Sequence, residues 1–349
     1  MGEERVKNSV GQEIVHETQK ESNGPSDILN PEISRQYFPR EFPVDVKLKN
    51  EYTTTRIEHS NSGHKFIQIL PGRGIQILAA SHSEILLFNR KLDDSFDRQL
   101  VGEYHNGNGI TAIQALPGDN FLTGDGMGKI IKWTRNIDGG YDQQLITQRR
   151  ASITNLQALS DGTFVSADEF AICLWNPNLD GSFESQLVGE HEDSITAVHA
   201  LSDNEYIVGD HYGKIYLWKH YPDEGVYESQ LVGEMVSDVS VIRFLSNGQI
   251  VAGDCGGRIE VFTPNPDESY DQQKVYKPKY WGNVDIQVLS GDRFLTGDTD
   301  GKINLFTPNP DGSFNHRVLV EDTVPILSFQ ALSNDKIVLG GIGAIDILE

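Results

Sequence analysis

One unit recurs along this chain. An Ile that opens an alternating apolar run stands at Ile85, Ile130, Ile172, Ile215, Ile259, Ile303 and Ile345, at intervals of 45, 42, 43, 44, 44 and 42 residues. Three residues further on is a large apolar group: Phe88, Trp133, Trp175, Trp218, Phe262, Phe306 and finally Leu348. In an extended strand, residues i and i+3 point to opposite faces. Both faces of this strand are therefore apolar, as in a sheet packed between two other sheets. Each unit reads as four short strands. In the third they are "ITNLQAL" (153–159), "TFVSA" (163–167), "AICLW" (171–175) and "FESQLVG" (183–189), with "NPNLDGS" turning between the last two. A period of about 40–45 residues with four strands per unit is the pattern of a propeller blade. The expected fold is all-β: a seven-bladed β-propeller with four antiparallel strands per blade.

The two ends of the chain complement each other. The last unit, from Ile326, has "ILSFQAL", "KIVLG" and "AIDIL" and then stops without a fourth strand. Far upstream, "EYTTTRIEHS" (51–60) resembles the fourth strand "FDRQLVGEYH" (96–105) but has no unit before it. The N-terminal strand Tyr52–Glu58 is therefore expected to complete the C-terminal blade, which removes free sheet edges. This divides the chain into a polar N-terminal extension, partly disordered, at 1–48 and a propeller at 49–349.

The stretch "GDGMGKI" (124–130) has the glycines and lysine of a phosphate-binding loop, but Thr123 stands where such a loop needs its first Gly and Ile130 where it needs Ser or Thr. It also has sisters, "GDHYGKI" (209–215), "GDCGGRI" (253–259) and "GDTDGKI" (297–303), each between two strands. These are hairpin turns: Asp accepts backbone N–H groups, and the Gly before Lys or Arg takes a positive φ. In the blades opened by Ile85, Ile172 and Ile345 the turn is one residue shorter and the Gly-Lys pair is missing.

With these elements in place the unit resembles the WD-repeat β-propeller family. "LVGEHEDSITAVHALSDNEYIVGDHYGKIYLW" (187–218) follows its order of a Gly-His region, a strand, a small-Gly turn and a strand ending in Trp. No Trp-Asp dipeptide follows, since Thr134, Asn176 and Lys219 come after the tryptophans; the inter-blade His is clear at His191, with His105 and His59 as weaker matches. The resemblance implies a non-enzymatic protein–protein interaction scaffold. The missing residues imply that the family's buried His–Ser/Thr–Asp–Trp network is mostly lost.

Composition narrows the partner. Lys and Arg number 29 against 51 Asp and Glu, a net charge of −22. Nucleic acids and anionic membranes are bound through Lys and Arg, so both are disfavoured. A protein or peptide with a basic segment fits better. Two cysteines, Cys173 in a strand and Cys255 in a turn, read as free thiols of a reducing compartment. With no apolar run of membrane-spanning length and a polar start, the expected location is cytoplasmic, in the organism itself or, for a secreted bacterial effector, in a host.

A search for chemistry returns little. "HEDSI" (191–195) begins like a zinc-helix motif but lacks its second His, and no nucleophile elbow occurs. "DTDG" (298–301) matches the start of a calcium loop, yet its sister turns lose the second carboxylate. No cofactor and no metal are expected. The repeated Asp125, Asp168, Asp210, Asp254 and Asp298 cap their hairpins or, in addition, form an acidic ring at one mouth of the channel. The alternative function, a propeller hydrolase or lyase, would use those carboxylates. For partner binding, the turns supply Met127, Phe170, His211 and Tyr212. The inter-blade loops supply Tyr104, Arg149, Arg150, Met235, Tyr280 and Trp281. Aromatic, Met and Arg side chains are the usual interface anchors.

Overall fold

The computed structural model describes residues 6–7, 13–14, 54–58, 66–70, 75–104, 109–159, 162–221, 223–277, 282, 284–321, 325–332, 336–341 and 344–348. Seven four-stranded antiparallel sheets follow one another. Blade 1 holds Phe66–Ile69, Gln76–Ala80, Glu84–Arg90 and Phe96–Glu103; blades 2 to 6 begin at Ile110, Ile153, Ile195, Val239 and Val284. Blade 7 is Ile326–Ala331, Ile337–Gly341 and Ala344–Leu348, completed by Thr54–Glu58. The first strands of successive blades touch all the way round, blade 7 against blade 1 included, so they form the inner wall. The closing strand runs in register from Thr54 opposite Leu348 to Glu58 opposite Ala344. Arg56 fastens it by donating from Nε and Nη2 to the two carboxylate oxygens of Asp346, at 2.8 and 2.7 Å. Residues 1–48 lie almost wholly outside the described residues; within them Val6–Lys7 pairs with Glu13–Ile14.

The doubly apolar third strand accounts for the packing. The hydrophobic core is divided into seven clusters, each lying between two adjacent blades. In blade 2, Trp133 joins the cluster shared with blade 1, while Ile130, three residues earlier, joins the one shared with blade 3. In blade 4, Trp218 faces blade 3 and Ile215 faces blade 5.

The outer strand makes room for the aromatic ring. Each of its "Leu-Val-Gly" runs carries a bulge at the Val, and the Gly then lies under the next blade's ring. A Cβ on Gly189 would come 2.0 Å from Trp218, one on Gly102 2.5 Å from Trp133, and one on Gly233 2.4 Å from Phe262. In blade 5 the position is filled instead: Tyr276 packs edge-on against Phe306 at 5.8 Å.

The inner wall has its own fastening. At one register position of the first strands stand Gln68, Gln114, Gln157, His199, Arg243, Gln287 and Gln330. Several of the glutamines reach across to the backbone of the next blade. Gln157 accepts from Ala200 N at 2.8 Å and donates to Ala200 O at 3.2 Å; Gln330 accepts from Ile69 N at 2.7 Å across the closure. Gln287 repeats the arrangement on Ala331.

Candidate interaction face

The turns between second and third strands and the loops between blades share one rim. Arg149 N donates to Gly128 O and Gly126 N to Gly109 O, which ties the blade 2 turn to the loops on either side. The repeated Asp builds each turn. Asp125 Oδ1 accepts from Met127 N and Lys129 N, both at 2.9 Å, and Asp210 Oδ1 accepts from Tyr212 N and Lys214 N, both at 2.9 Å. In the shorter blade 3 turn, Asp168 accepts from Phe170 N and Ala171 N instead. Asp254 takes Arg258 N and Asp298 takes Lys302 N, both at 2.9 Å. The glycines behave as the turn chemistry requires: Gly128 and Gly213 have φ of 78° and 88°, and a Cβ on either would lie 2.5 Å from a backbone carbonyl oxygen.

All five aspartates are therefore caps, and all five are buried. They do not form an open ring of carboxylates. The second oxygen is also engaged where its partner is a cation: Arg149 Nε donates to Asp168 at 2.8 Å and Arg258 Nη1 to Asp254 at 3.0 Å. Burial raises the pKa of Asp298, with the backbone N–H of Lys302 opposing.

Three residues among those expected to contact a partner lock the blades together. Tyr104, Arg149 and Met235 occupy one equivalent position with His191, each with its N–H bonded to the turn of its own blade. Each side chain enters the blade that follows. Tyr104 Oη bonds Thr123 Oγ1 at 3.0 Å, and burial, the largest cause, raises its pKa. Arg149 pairs with Asp168, His191 lies 3.3 Å from Asp210, and Met235, only 2 % exposed, fills the core against blade 5. The loops between blades are short, so their first side chain is drawn inward to plug the junction. The polar network expected to be mostly lost is kept in part: Trp133 Nε1 donates to Thr123 Oγ1 at 2.9 Å and Trp175 Nε1 to Ser166 Oγ at 2.8 Å, His191 still pairs with Asp210, and Tyr104 takes the histidine's place on Thr123.

What remains outward on this rim comes mostly from the turns, with Arg150 exposed on the loop after blade 2. Met127, Phe170 and Tyr212, on the turns of three successive blades, are 47 %, 48 % and 62 % exposed. His211 is exposed, and its Nδ1 bonds Asp238 at 2.7 Å. Val236, in the next loop, is exposed as well; the sequence does not single it out, because its neighbours resemble an ordinary loop. Tyr280 and Trp281 lie outside the described residues. A cleft of about 440 Å³ is lined by Val236, Arg258, Glu260, Lys274, Tyr276 and Lys277, a local basic patch on an acidic protein. Cys173 is buried and Cys255 half-buried, both as free thiols. Among the described residues, no helix is long and apolar enough to cross a membrane.

Solved structures resemble this chain in fold. The WD40 propeller domain of Doa1 superposes with a TM-score of 0.66 at 14 % identity, covering 86 % of this chain and 97 % of that one. The fold is that of the WD-repeat propellers. U3-55K matches equally, TM-score 0.66 and 14 % identity, over 84 % of this chain and 98 % of its own. Virginiamycin B lyase from Staphylococcus aureus, in a catalytically inactive form with quinupristin, matches with a TM-score of 0.64 at 10 % identity, over 85 % and 99 %. Comparison with known protein families finds no match, and neither does comparison with curated proteins. At these identities the likeness concerns the fold alone.

Proposed function

We propose that this propeller is a non-enzymatic interaction scaffold that holds a protein or peptide with a basic segment on the rim of Met127, Phe170 and Tyr212. The observation that carries this is the exposure of three large apolar side chains on three successive turns, each turn braced by a buried Asp cap. Rigid presentation lowers the entropy cost of binding, and such side chains make good anchors. The net charge of −22 supports a basic partner and speaks against nucleic acid or an anionic membrane. A cytoplasmic location suits two free thiols. The hydrolase or lyase alternative needed carboxylates free of structural duty, and each of the five is committed to its turn.

The test is selection from a displayed random-peptide library on wild type and on a Met127→Ala/Phe170→Ala/Tyr212→Ala variant of equal melting temperature. The expected result is enrichment of Lys- and Arg-containing peptides by wild type and its loss in the variant. Peptides without basic residues, or peptides kept by both proteins, would refute the assignment.

A further inference from the structure

Blade 5 departs from its sisters at one corner. Its third and fourth strands, with Val236 of the preceding loop, line the cleft of about 440 Å³. That volume falls in the range of small-ligand pockets, about 300–1,000 Å³. Two of the lining residues break the repeat. Opposite the residue that follows the Ile of the third strand stand Leu100, Leu145, Leu187, Leu231 and Val318 in blades 1, 2, 3, 4 and 6, but Lys274 in blade 5. Opposite the residue that precedes the Ile, the sister blades carry Glu58, Glu103, Gln148, Glu190, Glu234 and Glu321. In blade 5 this place, one residue past the Tyr276 that pairs with Ile259, is Lys277. We propose that the cleft binds the carboxyl-terminal end of a peptide, at a site separate from the rim of Met127, Phe170 and Tyr212.

The fold does not ask for these lysines. In blade 6 the acid at the second position, Glu321, lies 3.4 Å from Lys302 Nζ. In blade 5 the cation in the place of Lys302 is Arg258, which is already bonded to Asp254 at 3.0 Å, and the place of the acid holds a second cation, Lys277. Blade 7 has a basic residue at the first position, Arg56, but both of its bonds go to Asp346 in register with it. Lys274 has Glu260 in the same register, yet the two form no ion pair. Lys274 and Lys277 are both exposed, and neither is in an ion pair among the described residues. Two free ammonium groups in one cleft, on a chain of net charge −22, suit an anionic group.

The floor of the cleft adds a demand that a plain anion does not meet. Glu260 is only 1 % exposed. Its Oε2 accepts from Gln272 Nε2, while Oε1 has no partner among the described residues. A buried acceptor in this state favours a ligand that brings a donor. Inorganic phosphate would satisfy the lysines but repel the Glu260 carboxylate. The remaining walls are apolar, from Val236, Val275 and the Tyr276 ring. The last residue of a peptide matches all three parts. Its amide N–H serves Glu260, its terminal carboxylate serves Lys274 and Lys277, and an apolar side chain covers Val236 and Tyr276. Capture of a terminal carboxylate is a recurring mode of peptide recognition. The assignment does not depend on what the rim of Met127, Phe170 and Tyr212 binds.

The experiment presents the full chain with a library of random hexapeptides, made once with free carboxyl ends and once with carboxamide ends. The protein variant is Lys274→Leu/Lys277→Glu, which installs the residues of the sister blades and should melt with wild type. The expected result is that wild type retains free-end peptides with an apolar last residue. Amidation and the protein variant should each weaken the retained sequences at least about tenfold. Amidation alters the ligand alone, so that arm stands whether or not the variant folds. The Met127→Ala/Phe170→Ala/Tyr212→Ala variant should retain the same peptides as wild type, which separates this site from the rim. No retention by wild type, equal binding of the amidated peptides, or equal binding by the folded lysine variant would each overturn the proposal.

Discussion

Trp218 provides a sharp test of how the blades are held. Its indole Nε1 is buried with no hydrogen-bond partner among the described residues, whereas the equivalent Trp133 and Trp175 donate to Thr123 and Ser166. Those acceptors stand two residues before the capping Asp, and blade 4 has Val208 there. Val208 lies opposite Tyr216, as Thr123 lies opposite Ile131 and Ser166 opposite Cys173, so the register is the same. Val208→Thr keeps the shape and supplies the acceptor. A buried donor left unpaired costs about 1–3 kcal/mol. Exchanging one methyl for a hydroxyl gives up about 1 kcal/mol of apolar burial. The expected outcome is a net gain of about 1 kcal/mol, although Val→Thr in a core ordinarily destabilises. Val338→Thr, within an apolar cluster, is the control and should lose about 1–3 kcal/mol. The reverse change, Thr123→Val, strands both Trp133 Nε1 and Tyr104 Oη and should cost about 2–4 kcal/mol. Urea unfolding followed by tryptophan fluorescence gives all three. If Val208→Thr loses as much as Val338→Thr, the indole is not the cause and the reasoning fails.

Gly189→Ala should destabilise by about 1–3 kcal/mol, because its Cβ would lie 2.0 Å from the buried Trp218 ring; a Gly→Ala change at an open site of ordinary φ would instead gain about 0.4–1 kcal/mol, so the sign of the shift in a thermal melt decides. Gln157→Ala removes both partners of Ala200 on the inner wall and should cost about 1–3 kcal/mol in the same melt, with faster hydrogen exchange at Ala200. Burial, followed by Asp298, raises the Tyr276 pKa to about 12. The folded chain thus keeps this proton longer than the unfolded chain, and the associated stability is complete below about pH 10 and lost as pH rises through 12. Tyr276→Phe should flatten the alkaline fall in unfolding midpoint between those values; an unchanged slope would mean that the hydroxyl is not held as described.

The architecture is legible in the sequence because it is periodic. The Ile/Trp spacing requires a strand apolar on both faces, and the missing fourth strand of the last unit points to Tyr52–Glu58, of which Thr54–Glu58 pairs. The turn aspartates and positive-φ glycines are readable for the same reason. What periodicity does not convey is how each junction is plugged, since the four described here use different residues. Tyr104, Arg149 and Met235 read as irregular surface residues. Only their equivalence in space to His191 shows that they are latches. The inner-wall glutamines repeat visibly in "QAL", but Gln in a strand carries no chemistry of its own until its neighbour's backbone is in view. Phe170 and Tyr212 are legible as exposed, being large residues in turns whose sister blades do without them.

The closing strand has a consequence for how the chain is made. Arg56 and Asp346 are 290 residues apart, so the strand that finishes the ring is synthesised first and pairs last. At about 5–20 residues per second, a ribosome takes roughly 15–60 s to bridge that distance. Throughout that interval blade 1 lacks the Ile345 and Ile347 side of its core, and an early strand has no mate. Synthesis thus runs with an open ring whose two unsatisfied edges lie at opposite ends of the nascent chain. A circular permutant that begins at Phe66 and links residue 349 to residue 1 would deliver blade 7 whole and shorten that exposure.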